Sequence, residues 1–204
     1  ANNFALTNGT VNFGTNVVDI DANLSLAAGI LTATSGTFTV GGNWTNSGAT
    51  FTSGANTVTF DGGSAQTINA GGTGNDNKDF NNLTVSGSTL QLTGTGLEID
   101  GTLTINSSKT VDLNSLALTA GVLVNNGTLS LTGDETVTIT TMDVDSGLVK
   151  YTATSSTRAL KDFGATDYYN LEVAGTGGTF TLGADLKVAN NFTLTNGTVN
   201  LGTN

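Results

Sequence analysis

The chain has 204 residues and a net charge of −10, yet only 11 % of its residues are charged, against about 25 % in ordinary globular domains. That acidity argues against nucleic acid or anionic lipid as partners. With no Cys there are no disulfides, and with no His the commonest metal ligand and the usual general base are missing.

The polar residues are of a particular kind: 39 Thr, 24 Asn and 28 Gly, with no Pro. Thr suits a pleated surface, while Asn and Gly tolerate the positive φ of tight corners. Short strands joined by corners are therefore expected throughout. No apolar run approaches the ~18 residues of a membrane helix, so no membrane insertion is expected. No signal peptide is visible.

Taken from the N-terminus, the segment GTVNFGTNVVDIDANLSLAAGIL from Gly9 carries the first strands. Asp19 and Asp21 flank Ile20 there, on the face opposite the apolar side chain. Thr-x-Thr triplets follow at Thr37-Phe38-Thr39, Thr50-Phe51-Thr52 and Thr57-Val58-Thr59, and later at 102–104, 136–138 and 179–181. A flat array of outward Thr resembles the surface of ice-binding solenoids. The triplets are unevenly spaced, however, and Thr is the best polar strand former, so a plain outer face is preferred. Trp44, after Gly-Gly-Asn, can stack on a sugar ring, but packing at a coil corner is the preferred reading.

Residues 71–80, GGTGNDNKDF, form the one polar insertion with clustered donors. Asn75, Asp76, Asn77 and Asp79 look like the start of a calcium loop, but its Gly and terminal Glu are missing. A loop bulging from one coil is preferred, with calcium at Asp76/Asp79 left open. The acid pairs Glu98/Asp100 and Asp143/Asp145 supply too few oxygens for calcium and read as a solvated face.

Between residues 97 and 144 the alternation is densest: Leu97-Glu98-Ile99, Leu103-Thr104-Ile105, Val111-Asp112-Leu113, Leu116-Ala117-Leu118, Val122-Leu123-Val124, Leu129-Ser130-Leu131, Val137-Thr138-Ile139 and Met142-Asp143-Val144. No helical stripe competes. Leu103, Ile105, Val111 and Leu113 are expected in the core, and Thr104 and Asp112 outside. A shift of 26 lays Gly101, Leu103, Val111, Leu116 and Gly121 on Gly127, Leu129, Val137, Met142 and Gly147. A coarser echo puts FNNLTVSGS at Phe80 on YYNLEVAGT at Tyr168, an offset of 88. Finally ANNFALTNGTVNFGTN, residues 1–16, returns as ANNFTLTNGTVNLGTN at 189–204, with 14 of 16 positions identical at an offset of 188.

Nested short-strand repeats without helices predict an all-β parallel solenoid, a β-helix with coils of about 26 residues stacked into a rod. A propeller or sandwich is the runner-up. The whole of 1–204 reads as a single solenoid segment. Residues 1–188 are one full unit, made of two half-units of about 90, and 189–204 start the next. On that reading a unit holds roughly seven coils and advances about 34 Å.

No catalytic motif emerges. Arg158, with Lys161 nearby, sits beside no acid cluster, and no nucleophile, phosphate-loop or metal-ligand spacing is present. The chain is not expected to be an enzyme, and no cofactor or metal site is assigned.

GNWTNSGATFTSGANTVTFDGGSAQTI followed by FNNLTVSGSTLQLTGTGLEIDGTLTI resembles the repeats of very large bacterial surface proteins. So does VKYTATSSTRALKDFGATDYYNLEVAGTGGTFTLGADLKVANNFTLTNGTV. These are adhesin-like or filament-forming β-solenoids in the style of autotransporter and filamentous-haemagglutinin passengers. The resemblance implies export to the cell surface, a long rod, and adhesion or scaffolding. The overlap of 189–204 with 1–16 makes the chain itself the expected partner, through end-to-end or covalent continuation, and cell-surface glycans are the other expected partner. A glycan-binding or ice-binding face is the alternative, and a polysaccharide-degrading β-helix is less favoured.

Overall fold

The computed structural model describes residues 2–73 and 77–202. Asn75 and Asp76 of the suggested calcium loop lie outside the described residues. Most apolar-x-apolar triplets become short strands between Gly or Asn corners, whereas Leu116-Ala117 and Met142-Asp143-Val144 lie outside the strands. The first coil carries β1 (Phe4–Leu6), β2 (Thr10–Asn12) and β3 (Val18–Ile20). The second carries β4 (Leu24–Leu26), β5 (Ile30–Thr32) and β6 (Phe38–Val40), and the third β7 (Trp44–Asn46), β8 (Thr50–Thr52) and β9 (Thr57–Phe60). β10 (Gln66–Asn69) and β11 (Asn82–Val85) belong to the fourth, β12 (Thr89–Leu92) and β13 (Leu97–Ile105) to the fifth, β14 (Thr110–Asp112) and β15 (Leu118–Asn125) to the sixth. Then come β16 (Thr128–Leu131) with β17 (Val137–Thr141), β18 (Leu148–Tyr151) with β19 (Thr157–Leu160), β20 (Tyr168–Leu182) and β21 (Val188–Asn200).

Every strand pairing among the described residues is parallel, and each strand pairs with the equivalent strand one coil away. The first face stacks β1-β4-β7-β10-β12-β14-β16-β18-β20, with β21 on β20. The second begins as β2-β5-β8, and the third runs β3-β6-β9-β11-β13-β15-β17. The result is a three-sided parallel β-solenoid of about 10 coils, without a helix among the described residues.

Two quantities differ from the sequence reading. Register offsets run from 18 residues (Val111 to Leu129) to 25 (Val58 to Leu83), about 20 per turn rather than 26. A unit of 188 residues therefore covers nine coil steps rather than seven, an advance of about 43 Å at about 4.7–4.9 Å per step. The shift of 26 misled because the faces are chemically interchangeable. Leu103 stacks on Leu123 in the third face and Leu129 on Val111 in the first, so the two GTL segments match in sequence while lying on different sides. The echo at 88 behaves alike: Leu83 pairs with Leu103 on the third face, and Leu171 with Val149 on the first.

The inward assignments stand. Leu103, Ile105, Val111 and Leu113 are wholly buried. Two aromatic clusters flank an aliphatic middle. In the lower one Trp44 packs on Phe51 and Phe80 at ring centroid distances of 4.9 and 5.0 Å. In the upper one Tyr151 meets Phe180 at 5.6 Å and Tyr168 at 6.3 Å. Trp44 thus lies in the core of β7 and presents no face to a sugar. The third acid-flanked triplet is an exception to the expected pattern. Val144 is exposed because 142–146 is a corner, where the Asp143 carboxylate accepts the backbone N–H groups of Asn125 and Asp145.

Corners are held by amides and by Gly. The side-chain oxygens of Asn3, Asn23 and Asn43 accept the backbone N–H groups of Asn23, Asn43 and Thr67, so one ladder ties four successive coils. Buried Gln66 accepts from Gly62 N–H and donates to the Val40 and Gly42 carbonyls. Gly29, at φ +93, stacks so close on Gly9 that any Cβ would strike the Gly9 carbonyl.

Above β17 the third face has no regular ladder, and a buried carboxylate takes its place. Asp167, 1 % exposed, accepts Phe163 N–H at 2.8 Å and Lys187 N–H at 2.9 Å, which pins two successive corners. Asp167→Ala is expected to cost about 1–3 kcal/mol for each amide left unpaired. Chemical denaturation measures it, and Asp167→Asn, which keeps an acceptor oxygen, should lose less.

Candidate functional site

Stacking brings together acids that lie far apart in the sequence. Glu98 and Asp100 sit two apart at the corner inside β13. The segment 77–80 crosses the coil below, where Phe80 bridges to Ile99 in parallel. Asp79, Glu98 and Asp100 thereby offer carboxylate oxygens within 4.8 Å of one another. Asp79 and Asp100 border an open pocket of about 230 Å³ that Phe51, Thr52, Ser53, Gly54 and Asn77 also line. Three carboxylates at this spacing have the donor chemistry of a hard cation such as Ca²⁺, which takes six to eight oxygens. The sequence reading treated Asp79 and the Glu98/Asp100 pair separately. Only the coil register joins them.

A second acidic group is Asp61, whose carboxyl is held above the usual range first by partial burial and then by Asp19 and Asp21. A raised carboxyl pKa means that the folded state binds the proton better than the unfolded one. The stabilisation it provides is present below the unfolded value of about 3.9 and is lost as pH rises through the folded value. Asp61→Asn should therefore flatten the decline in melting temperature above that pH, as a melt series across acidic buffers will show. Arg158 and Lys161 do not converge on either group. The Arg158 guanidinium pairs with Asp134 at 3.2 Å, and the Asp134 carboxyl is held low chiefly by the Thr132 hydroxyl. The Lys161 backbone N–H donates to the Tyr151 hydroxyl, and its carbonyl accepts from Tyr168.

The third face carries three of the Thr triplets, 37–39, 57–59 and 102–104, in register, whereas 50–52 lies on the second face and 179–181 pairs with β19. Thr39 pairs with Thr59, Thr59 with Thr84 and Thr84 with Thr104, a column of four outward hydroxyls on consecutive coils. Beside it Thr57 pairs with Asn82. Asp19 and Val124 end the column below and above. Rows rise by about 4.7–4.9 Å, and i, i+2 columns stand about 6.6–6.8 Å apart. The uneven sequence spacing that hid this array is the unequal length of the coils beneath it.

Among the described residues β1, β2 and β3 each pair with one strand, in the second coil, and Phe192, Leu194 and Leu201 of the last coil are exposed apolar side chains.

The chain matches no family model, and no curated protein and no solved structure is significantly similar to it. What the geometry establishes is a parallel β-solenoid repeat protein.

Proposed function

We propose that this chain is a structural repeat segment of an extracellular bacterial filament or surface stalk, whose coils continue end to end. One observation carries the reading. Residues 189–202, which repeat 1–14, lie on the ninth coil as a tenth, so the sequence that opens the unit also continues the stack. A ladder that accepts its own beginning at its end has no built-in stop. The work is mechanical: each coil satisfies the edge of the one before it, and a rod with paired edges resists unfolding and proteolysis. The likeness of the repeats to adhesin-like and filamentous-haemagglutinin passengers supports export to the cell surface. An enzymatic role finds no support in the repeat-conforming acids and the single Arg. Electron microscopy of the native material tests the reading. The expected images are thin filaments with an axial period of about 43 Å, nine coil steps. Globular particles would refute it.

The Thr column favours a second reading, in which the third face binds an ordered polar lattice, ice or a glycan. Hydroxyls held in rows on a rigid sheet are already ordered, so binding them costs little side-chain entropy. Thr59→Lys, in the middle of the column, should abolish inhibition of ice recrystallisation or capture on a glycan array without lowering the melting temperature. Absence of both activities in the unaltered chain would remove this reading and leave the filament.

A further inference from the structure

The seventh and eighth coils are laddered on one side only. Among the described residues β16 pairs with β18 on the first face, through Thr128↔Leu148, Leu129↔Val149, Ser130↔Lys150 and Leu131↔Tyr151. Around the rest of the circuit, β17 pairs with β15 beneath it and with no strand above, while β19 pairs with β20 above it and with no strand below. The junctions on either hand have a second ladder. Below, β14–β16 is accompanied by β15–β17, and above, β20 pairs with both β18 and β19. Burial follows the same break. Leu118 and Ala120 of β15 are fully buried, whereas Val137 and Ile139, stacked on them in β17, are only half-buried.

The core supplies a physical cause. On the first face the seventh coil buries Leu129 and Leu131, and the eighth buries Val149 and Tyr151. The Tyr151 hydroxyl accepts the Lys161 backbone N–H at 2.9 Å and meets the Tyr168 hydroxyl at 2.9 Å, and Tyr168 donates to the Lys161 carbonyl at 2.6 Å. A phenol set between the first face and residue 161 asks for a wider interior than the leucines beneath it, so the far walls of the two coils do not register. The corner below is also satisfied without help from the coil above: the buried Glu135 carboxylate accepts the backbone N–H groups of Thr132 and Gly133.

Among the described residues one ion pair crosses the open side. Arg158 Nη2, on β19, lies 3.2 Å from Asp134 Oδ2, in the corner before β17. Gly133 sits so close to Arg158 that an added Cβ would come within 2.9 Å of the Arg158 Cβ, so the two coils touch at this point. The two side chains are 26 % and 45 % exposed, which leaves the pair screened and weak. We propose that the junction of the seventh and eighth coils is a joint, where the rod opens about the β16–β18 ladder and the Arg158–Asp134 pair is the latch that closes it. The coils below it move as one body and those above it as another. The mechanical use of the joint, as the place where a rod under load yields first, rests on the filament reading. The joint itself is a property of the single chain.

Native-state amide exchange of the unaltered 204-residue chain tests the joint. The amides of β18, β19 and residues 168–173 should open together, with protection at least about tenfold below that of β15 and β16, and with the step between β17 and β18. Protection that declines gradually from β14 to β20, or that is uniform across them, overturns the joint. A double-mutant cycle tests the latch. Asp134→Asn and Arg158→Gln should each lower the protection of β18 and β19 by about threefold, the effect of losing an exposed pair, and the double variant should lose no more than either alone. Protection of the first six coils should stay as it was. Single variants that change nothing, losses that add, or losses spread through β12 and β14 overturn the latch. The exchange is read on separate chains, so a missing step leaves the filament reading intact, and globular particles in electron microscopy leave the step intact.

Discussion

Leu103→Asp should abolish the cooperative melt of the middle coils. Leu103 is wholly buried, with Leu83 stacked below it and Leu123 above. An aspartate there has no partner among aliphatic neighbours, and a buried unpaired charge belongs to the small class of substitutions that cost more than about 4 kcal/mol. In a solenoid each coil is stabilised mainly by its two neighbours, so damage at the fifth coil removes an interface from the fourth and the sixth as well. Circular dichroism should show an early or broadened transition. Leu103→Ala provides the comparison, because it creates a cavity without a charge and should cost about 2–5 kcal/mol. An unchanged melt for Leu103→Asp would contradict the inward assignment of this column.

Trp44→Ala should have the next largest effect, about 3–5 kcal/mol. Trp44 is 1 % exposed and lies at the centre of the lower aromatic cluster, against Phe38, Phe51 and Phe80. Its removal opens a cavity between two faces that rigid strands cannot close. Its Nε1 is buried without a hydrogen-bond partner. Trp44→Phe gives up part of the packing but also that unpaired donor, so it should be much milder than Trp44→Ala. Since Trp44 is the sole Trp, urea titration of the other variants can be followed by its fluorescence. A Trp44→Ala chain of unaltered stability would place the indole outside the core.

The inward positions Leu103, Ile105, Val111 and Leu113 are legible in the sequence, because side-chain alternation is a local property of an extended chain. The coil length was not. Each face uses the same apolar-x-apolar strand and the same Gly or Asn corner, so sliding the sequence by one coil plus part of another lays like on like, as Gly101 on Gly127. Nothing in composition distinguishes one face from the next. The Asp79, Glu98 and Asp100 group was hidden for the same reason. Its members join only when the coil through Phe80 is set beneath Ile99, and the length of that coil depends on the insertion at 71–79. The Thr column is hidden in the sequence because its steps of 20 and 25 residues look unrelated, although they are single coils of different size. Val144 failed on a finer scale: an Asx turn at Asp143 overrode the local alternation.

That spread of coil sizes separates two dimensions of the rod. Height per coil is fixed by peptide hydrogen bonds between neighbours and does not depend on how many residues the circuit contains. Girth is set by the corners alone. Residues added to one coil, as in the step of 25 from Thr59 to Thr84 against 20 from Thr39 to Thr59, lengthen one storey without disturbing the strand pairing of its neighbours. A solenoid built this way can alter its outer surface piece by piece while the distance it spans stays the same.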